Sequence, residues 1–139
     1  MTGTPPPPAR STTLSVTIDC PAPDVYAFLA DAANWPRWAF INVLAIEPSG
    51  EPGWWKTTSA GETGEIRIYC DAASGILDHD YRDELGGIWR MPARVVANGR
   101  GADFLMTFTQ PAGLPGAVWE NQLAEVQSEL DNLRQVLER

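Results

Sequence analysis

Apolar and polar residues follow two different periods along this chain, and the places where the period changes mark out its elements. From Thr13 to Asp19, Leu14, Val16 and Ile18 alternate with polar neighbours, the period-two pattern of a half-buried strand. Pro21 stops it. Pro23 suits a first helical turn, where its missing N–H is not needed, and Asp24 places negative charge near the positive helix end. Val25, Phe28, Leu29 and Ala32 then recur at helical spacing until Trp35-Pro36 breaks the pattern.

Period two returns over the middle of the chain. A strand ending at Pro48, a second over 54–59 and a third over 65–72, with Ile66, Ile68 and Cys70 on one face, are separated by turn formers at Pro48 to Gly53 and Ala60-Gly61. Residues 76–84 put Leu77, His79 and Tyr81 on one side and Asp78, Asp80 and Arg82 on the other. Trp89, Met91, Ala93 and Val95 continue one sheet face opposite Arg90 and Arg94, and Phe104, Met106 and Phe108 share a face of the last strand. Trp119, Leu123, Val126, Leu130, Leu133 and Leu137 then repeat in steps of four and three, the apolar stripe of a long helix in which Leu123 and Leu130 are both expected to pack onto the sheet. Three heptads are marginal for an independent coiled coil, whereas the strands need a cover. The pattern predicts an α+β fold, a curved antiparallel sheet of about seven strands around a long C-terminal helix.

The segment Cys20 to Trp38, taken with the apolar stripe over 117–137, resembles the START-like or Bet v 1-like superfamily of polyketide cyclases or dehydratases, aromatases and lipid carriers. The resemblance covers roughly residues 11–138. It implies a helix-grip fold, with residues 11–139 as a single ligand-binding domain and an opening between the sheet and the long helix. Residues 1–10 carry four consecutive prolines, Pro5 to Pro8, and nothing apolar to anchor them, so they are expected to form an extended, disordered tail.

At 139 residues the chain can bury a sizeable core without metal or disulfide staples, and its 44% hydrophobic content with six Trp leaves material for a lined cavity. A net charge of -8 argues against nucleic acid and against an acidic membrane surface. No segment reads as a signal peptide or a spanning helix, so the expectation is a soluble, cytoplasmic protein without membrane insertion. Cys20 and Cys70 lack clustered partners and read as small buried hydrophobes. Asp78, Asp80, Asp83 and Glu84 lack the glycine turn and terminal Glu of a calcium loop, and no phosphate-binding glycine loop or Gly-x-Ser-x-Gly occurs; neither metal nor cofactor is expected.

His79 is the single histidine, the one side chain whose ordinary pKa lies near neutrality. Its parity with Leu77 and Tyr81 directs it inward, where it could act as an acid-base group with Tyr81 as hydrogen-bond partner. A histidine merely bonded within the sheet fits the same pattern. The inner faces supply a candidate ligand wall: Ile66, Ile68, Leu77, His79 and Tyr81 from the middle strands, Trp89 and Met91 from the next, and Phe104, Met106 and Phe108 from the last. A solid core would use the same residues. The preferred function is binding of a small apolar or aromatic molecule between sheet and helix; the alternatives are a polyketide cyclase/dehydratase-like enzyme and a chaperone-activator-like interaction module.

Overall fold

The computed structural model of the chain describes residues 3–139. Residues 3–9 are exposed and have no regular structure, and Arg10 is the first to dock: its carbonyl accepts from the Gln110 N–H at 2.8 Å, and its guanidinium lies 5.1 Å from the Trp119 ring centroid. Strand β1 (Ser11–Ile18) leads into helix α1 (Ala22–Ala30), which has Pro23 in its first turn. Asp31 caps the next turn by accepting from the Ala33 N–H at 3.0 Å, and the chain then winds through a 3₁₀ turn, Ala32–Asn34, into a four-residue helix, α2 (Trp35–Trp38). Pro36 therefore starts a new helical turn instead of ending the helical region, since a first turn does not use its missing N–H.

Seven strands follow in order: β2 (Ala45–Pro48), β3 (Trp55–Ser59), β4 (Glu62–Ile68), β5 (His79–Asp83), β6 (Ile88–Met91), β7 (Ala93–Asn98) and β8 (Gly101–Thr109). The total is eight because Pro92 divides the segment read from sequence as one strand into β6 and β7. Proline has no N–H for a ladder, and here its carbonyl accepts from the Thr107 N–H at 2.9 Å. All pairings are antiparallel, in one sheet ordered β1-β8-β7 and another ordered β2-β3-β4-β5-β6. A bridge between Ile76 and Arg94, and the bond from the Leu77 N–H to the Ala93 carbonyl, join the two at the bend. Gly75 sits there at φ 78°, its Cα so close to the Val95 carbonyl that a side chain would collide with it.

The terminal helix α3 (Gly116–Leu137) lies mainly against β1 and α2. Its residues Leu130 and Leu133 are fully buried in a core with Val16, Ile18, Val25, Leu29 and Phe104. Trp35 and Trp38 from α2 complete that core, their ring centroids 5.1 Å apart. Leu123 differs from the expectation, being only half-buried and outside the core cluster. Among the described residues no helix is long and apolar enough to cross a membrane, and no group of three or more His, Cys, Asp or Glu is placed to hold a metal ion. Both cysteines are free; Cys70 is exposed, contrary to its reading as a buried hydrophobe, because strand β4 ends at Ile68 before reaching it.

Candidate functional site

The structure sorts the wall residues named from sequence into three groups. Ile66, Leu77, His79, Phe104 and Met106 are buried, and the four apolar ones belong to the core. Ile68, Tyr81 and Phe108 are half-buried and pack against that core from its margin. Trp89 is 39% exposed, and Met91, though half-buried, also stands outside the core cluster. Cross-strand register explains the grouping. His79 pairs with Met91 and Tyr81 with Trp89, so all four share the inner face, but α3 covers only part of that face.

His79 is enclosed by aromatic and backbone groups. Its ring and that of Trp35 meet edge to face with centroids 5.0 Å apart, and its Nδ1 lies 3.3 Å from the Leu77 carbonyl oxygen. Burial pulls its pKa down from 6.5 to about 4, against the opposing effects of that carbonyl and of Asp78 and Asp80. At neutral pH the imidazole is therefore uncharged. Its Nδ1–H is the tautomer that can donate to Leu77, which leaves a lone pair on Nε2. No hydrogen bond links His79 to Tyr81 among the described residues.

Tyr81 lies along the inner face instead, its ring stacked on Trp89 at 6.1 Å and 23°. Room for this comes from Gly64 on the neighbouring strand, where a Cβ would run into the tyrosine ring. Asp80, of opposite parity, faces the outer side. There Arg90 grips it with bonds of 2.7 and 3.0 Å while the Tyr69 hydroxyl donates at 2.8 Å, and the Arg90 bonds lead in holding its pKa below the usual carboxylate range. Trp54 also lies outward, buried beneath Arg82 at 4.0 Å, while Trp55 packs inward against the core.

Sequence reasoning missed three residues that shape the interior. Trp38, 1% exposed, packs edge-on to Phe104, and its indole Nε1 is the one buried side-chain nitrogen or oxygen among the described residues with no hydrogen-bond partner. Glu129 is buried on α3 and accepts from the Ile41 and Asn42 backbone N–H groups at 3.0 and 2.8 Å and from the Asn42 amide at 2.9 Å. Burial pushes its pKa up despite those bonds. Asn132, one turn on, donates to the Arg37 and Trp38 carbonyls at 3.1 and 3.2 Å. The signal for Glu129 was its spacing, three residues after Val126 and four before Leu133, which puts a carboxylate on the margin of the apolar stripe.

Two concavities mark the surface away from this face. One of about 290 Å³ is lined by residues including Asp19, Arg100, Arg134 and Glu138; the other, of about 410 Å³, lies along the Pro48–Trp55 turn. Neither lies between α3 and the inner strand faces.

Comparison with solved structures settles the architecture. The di-domain ARO/CYC StfQ from the steffimycin biosynthetic pathway superposes with a TM-score of 0.71 at 17% identity; the match covers 92% of this chain and 44% of that one. Ara h 8.0201 gives 0.66 at 18% identity, covering 93% of this chain and 97% of that one. This is the Bet v 1-like helix-grip fold. The Zhui aromatase/cyclase from Streptomyces sp. R1128 shares the helix grip as well, at a TM-score of 0.68 and 18% identity over 94% of both chains. No family model and no curated protein sequence matches the chain. In this helix grip the end of the inner face nearest α2 is filled by the Trp35–Trp38 pair, whereas Trp89 and Met91 remain outside the core.

Proposed function

We propose that residues 11–139 form a single domain that binds a small, flat apolar molecule between the N-terminal half of α3 and the inner face of β5, β6 and β8. One observation carries the reading. Trp89 and Met91 have the inward parity of core residues, and Leu123 belongs to the inward stripe of the helix, yet all three stand outside the core. Large apolar groups left uncovered on an inward-facing sheet surface are suited to a ligand. The Tyr81–Trp89 stack offers a planar platform, and Met91 an adaptable thioether beside it.

The neutral probe N-phenylnaphthylamine tests this. It is expected to bind saturably with enhanced fluorescence and to raise the melting temperature. Met91→Trp, which fills the uncovered face without touching the buried Met106, is expected to abolish binding while the domain still melts cooperatively. Absence of saturable binding in the unaltered protein would overturn the reading.

A cyclase or dehydratase-like enzyme is the second reading, supported by the fold shared with aromatase/cyclases and by the inward placement of His79 and Tyr81. Acid-base chemistry asks for a group whose pKa lies near the working pH and for a second convergent polar group. A histidine pulled down to about 4 is a weak base at neutrality, and no bond couples it to Tyr81. Binding is therefore preferred to catalysis.

A further inference from the structure

The two outer edges of the five-stranded sheet are finished differently. At one, β2 ends on Pro48, which has no N–H to offer another strand. At the other, β6 carries no proline, and three residues in succession, Ile88, Trp89 and Arg90, are exposed. The Leu77 N–H donates to the Ala93 carbonyl at 3.0 Å and the Asp83 N–H to the Gly87 carbonyl at 2.9 Å, so in this register the odd-numbered residues of β6 bond to β5. Ile88 and Arg90 therefore turn their N–H and C=O groups the other way. Pro92, of the same parity, reaches β8 through its carbonyl, but β6 itself is the last strand of its sheet and pairs with none on that side.

The hairpin that carries this edge is apolar at its tip and firmly held. Leu85 is 96% exposed and Ile88 57%, while the Asp83 carboxylate fixes the turn by accepting from the Leu85 and Gly87 N–H groups at 2.9 and 2.8 Å. Glu84 accepts from the Thr63 N–H and hydroxyl at 2.9 and 2.7 Å, which ties the turn to β4. The free charge there is negative. Arg90 is taken up by Asp80 and Arg82 by Glu51 and Glu65, whereas Glu62, Asp83 and Glu84 have no ion-pair partner among the described residues.

We propose that β6 is a docking edge for a partner protein, which adds an extended segment bearing lysine or arginine as a further strand of the sheet. Main-chain bonds to Ile88 and Arg90 would hold the segment, its apolar side chains would cover Leu85 and Ile88, and its cations would meet the three carboxylates. A second copy of this chain fits the edge less well, since it would bring the same carboxylates, and a net charge of -8, against their equals. The surface is distinct from the ligand site, which uses the inward side chains of Trp89 and Met91 rather than the backbone of the strand.

Titrating ¹⁵N-labelled protein with a six-residue peptide that alternates lysine and valine tests this. Saturable shifts are expected at the amides of residues 85–91, with affinity falling as salt is added. The same peptide N-methylated at two adjacent central residues, so that neither of its edges can pair, is expected to bind at least about tenfold more weakly, and so is a peptide with glutamate in place of lysine. Ile88→Pro removes an N–H that β5 does not use; it is expected to weaken peptide binding by a similar factor while N-phenylnaphthylamine affinity changes by less than about twofold. No saturable binding, equal affinity for the three peptides, or displacement of the peptide by the dye would overturn the inference. Sedimentation showing self-association that Ile88→Pro abolishes would overturn it as well, by making a second copy the occupant. The peptide comparison decides the matter even if Ile88→Pro does not fold, and it stands whether or not the dye binds.

Discussion

The two ends of the helix grip are built from the same alternating residues and finish differently. At one end Val16, Ile18, Phe104 and Ala102 meet Leu130 and Leu133 of α3 and the two tryptophans of α2, and almost nothing is exposed. At the other, Trp89 and Met91 share the inner parity yet stand outside the core, as does the half-buried Leu123 of α3. Strand pattern alone does not separate a core from an open wall. The difference lies in what lies across it: α2 inserts bulk at the closed end, and α3 is tied to α2 through Asn132 and to the loop after it through Glu129, but has its main contacts with β1 and α2 rather than with β5 and β6.

The comparison breaks most directly on the helix. Leu130→Ala is expected to cost about 2–5 kcal/mol, as a fully buried leucine does, and Leu123→Ala under about 1 kcal/mol. Chemical denaturation of the two variants checks it; equal losses would mean that both halves of α3 are packed alike.

His79 gives the closed end a pH signature. Its folded pKa of about 4 lies below its ordinary 6.5, so below 6.5 the unfolded chain takes up a proton that the folded one resists, and stability is lost as the pH drops across that window. The full difference corresponds to about 3 kcal/mol. His79→Leu is expected to remove this slope. Melting curves between these two pH values, for the variant against the unaltered protein, measure it, and an unchanged slope would show that the imidazole is hydrated in solution.

Glu129 joins the helix to the loop after α2, and Glu129→Ala is expected to cost about 1–3 kcal/mol by leaving two backbone N–H groups without their acceptor. Its pH dependence runs opposite to that of His79. A carboxyl whose pKa is raised on folding adds stability at low pH that is lost as the pH rises through the folded value. Denaturation of Glu129→Ala and of the unaltered protein across acid and neutral pH reads both effects.

The smallest effect on stability belongs to the open end. Trp89→Ala is expected to change the unfolding free energy by under about 1 kcal/mol, since the ring stacks only on Tyr81 and is partly in solvent. Its affinity for N-phenylnaphthylamine is expected to fall at least about tenfold. A large loss of stability with unchanged dye binding would reverse the assignment of the two ends.

Period two and the final stripe of leucines specified the antiparallel strands, the covering helix and the inward parity of Leu77, His79 and Tyr81, because side-chain direction in strands and helices follows from local geometry. They also carried the resemblance that the fold bears out. The division of the candidate wall into core, margin and uncovered residues was not legible, since Phe104 and Met91 have the same kind of pattern and differ only in what packs over them. The buried position of Glu129 and the unpaired indole of Trp38 are likewise products of the tertiary structure. One depends on where the loop at 40–42 meets α3, and the other on a ring held between Trp35 and Phe104, partners distant along the chain or fixed by α2's path through the core. Local pattern fixes which way a residue faces; only the packed fold decides what it meets there.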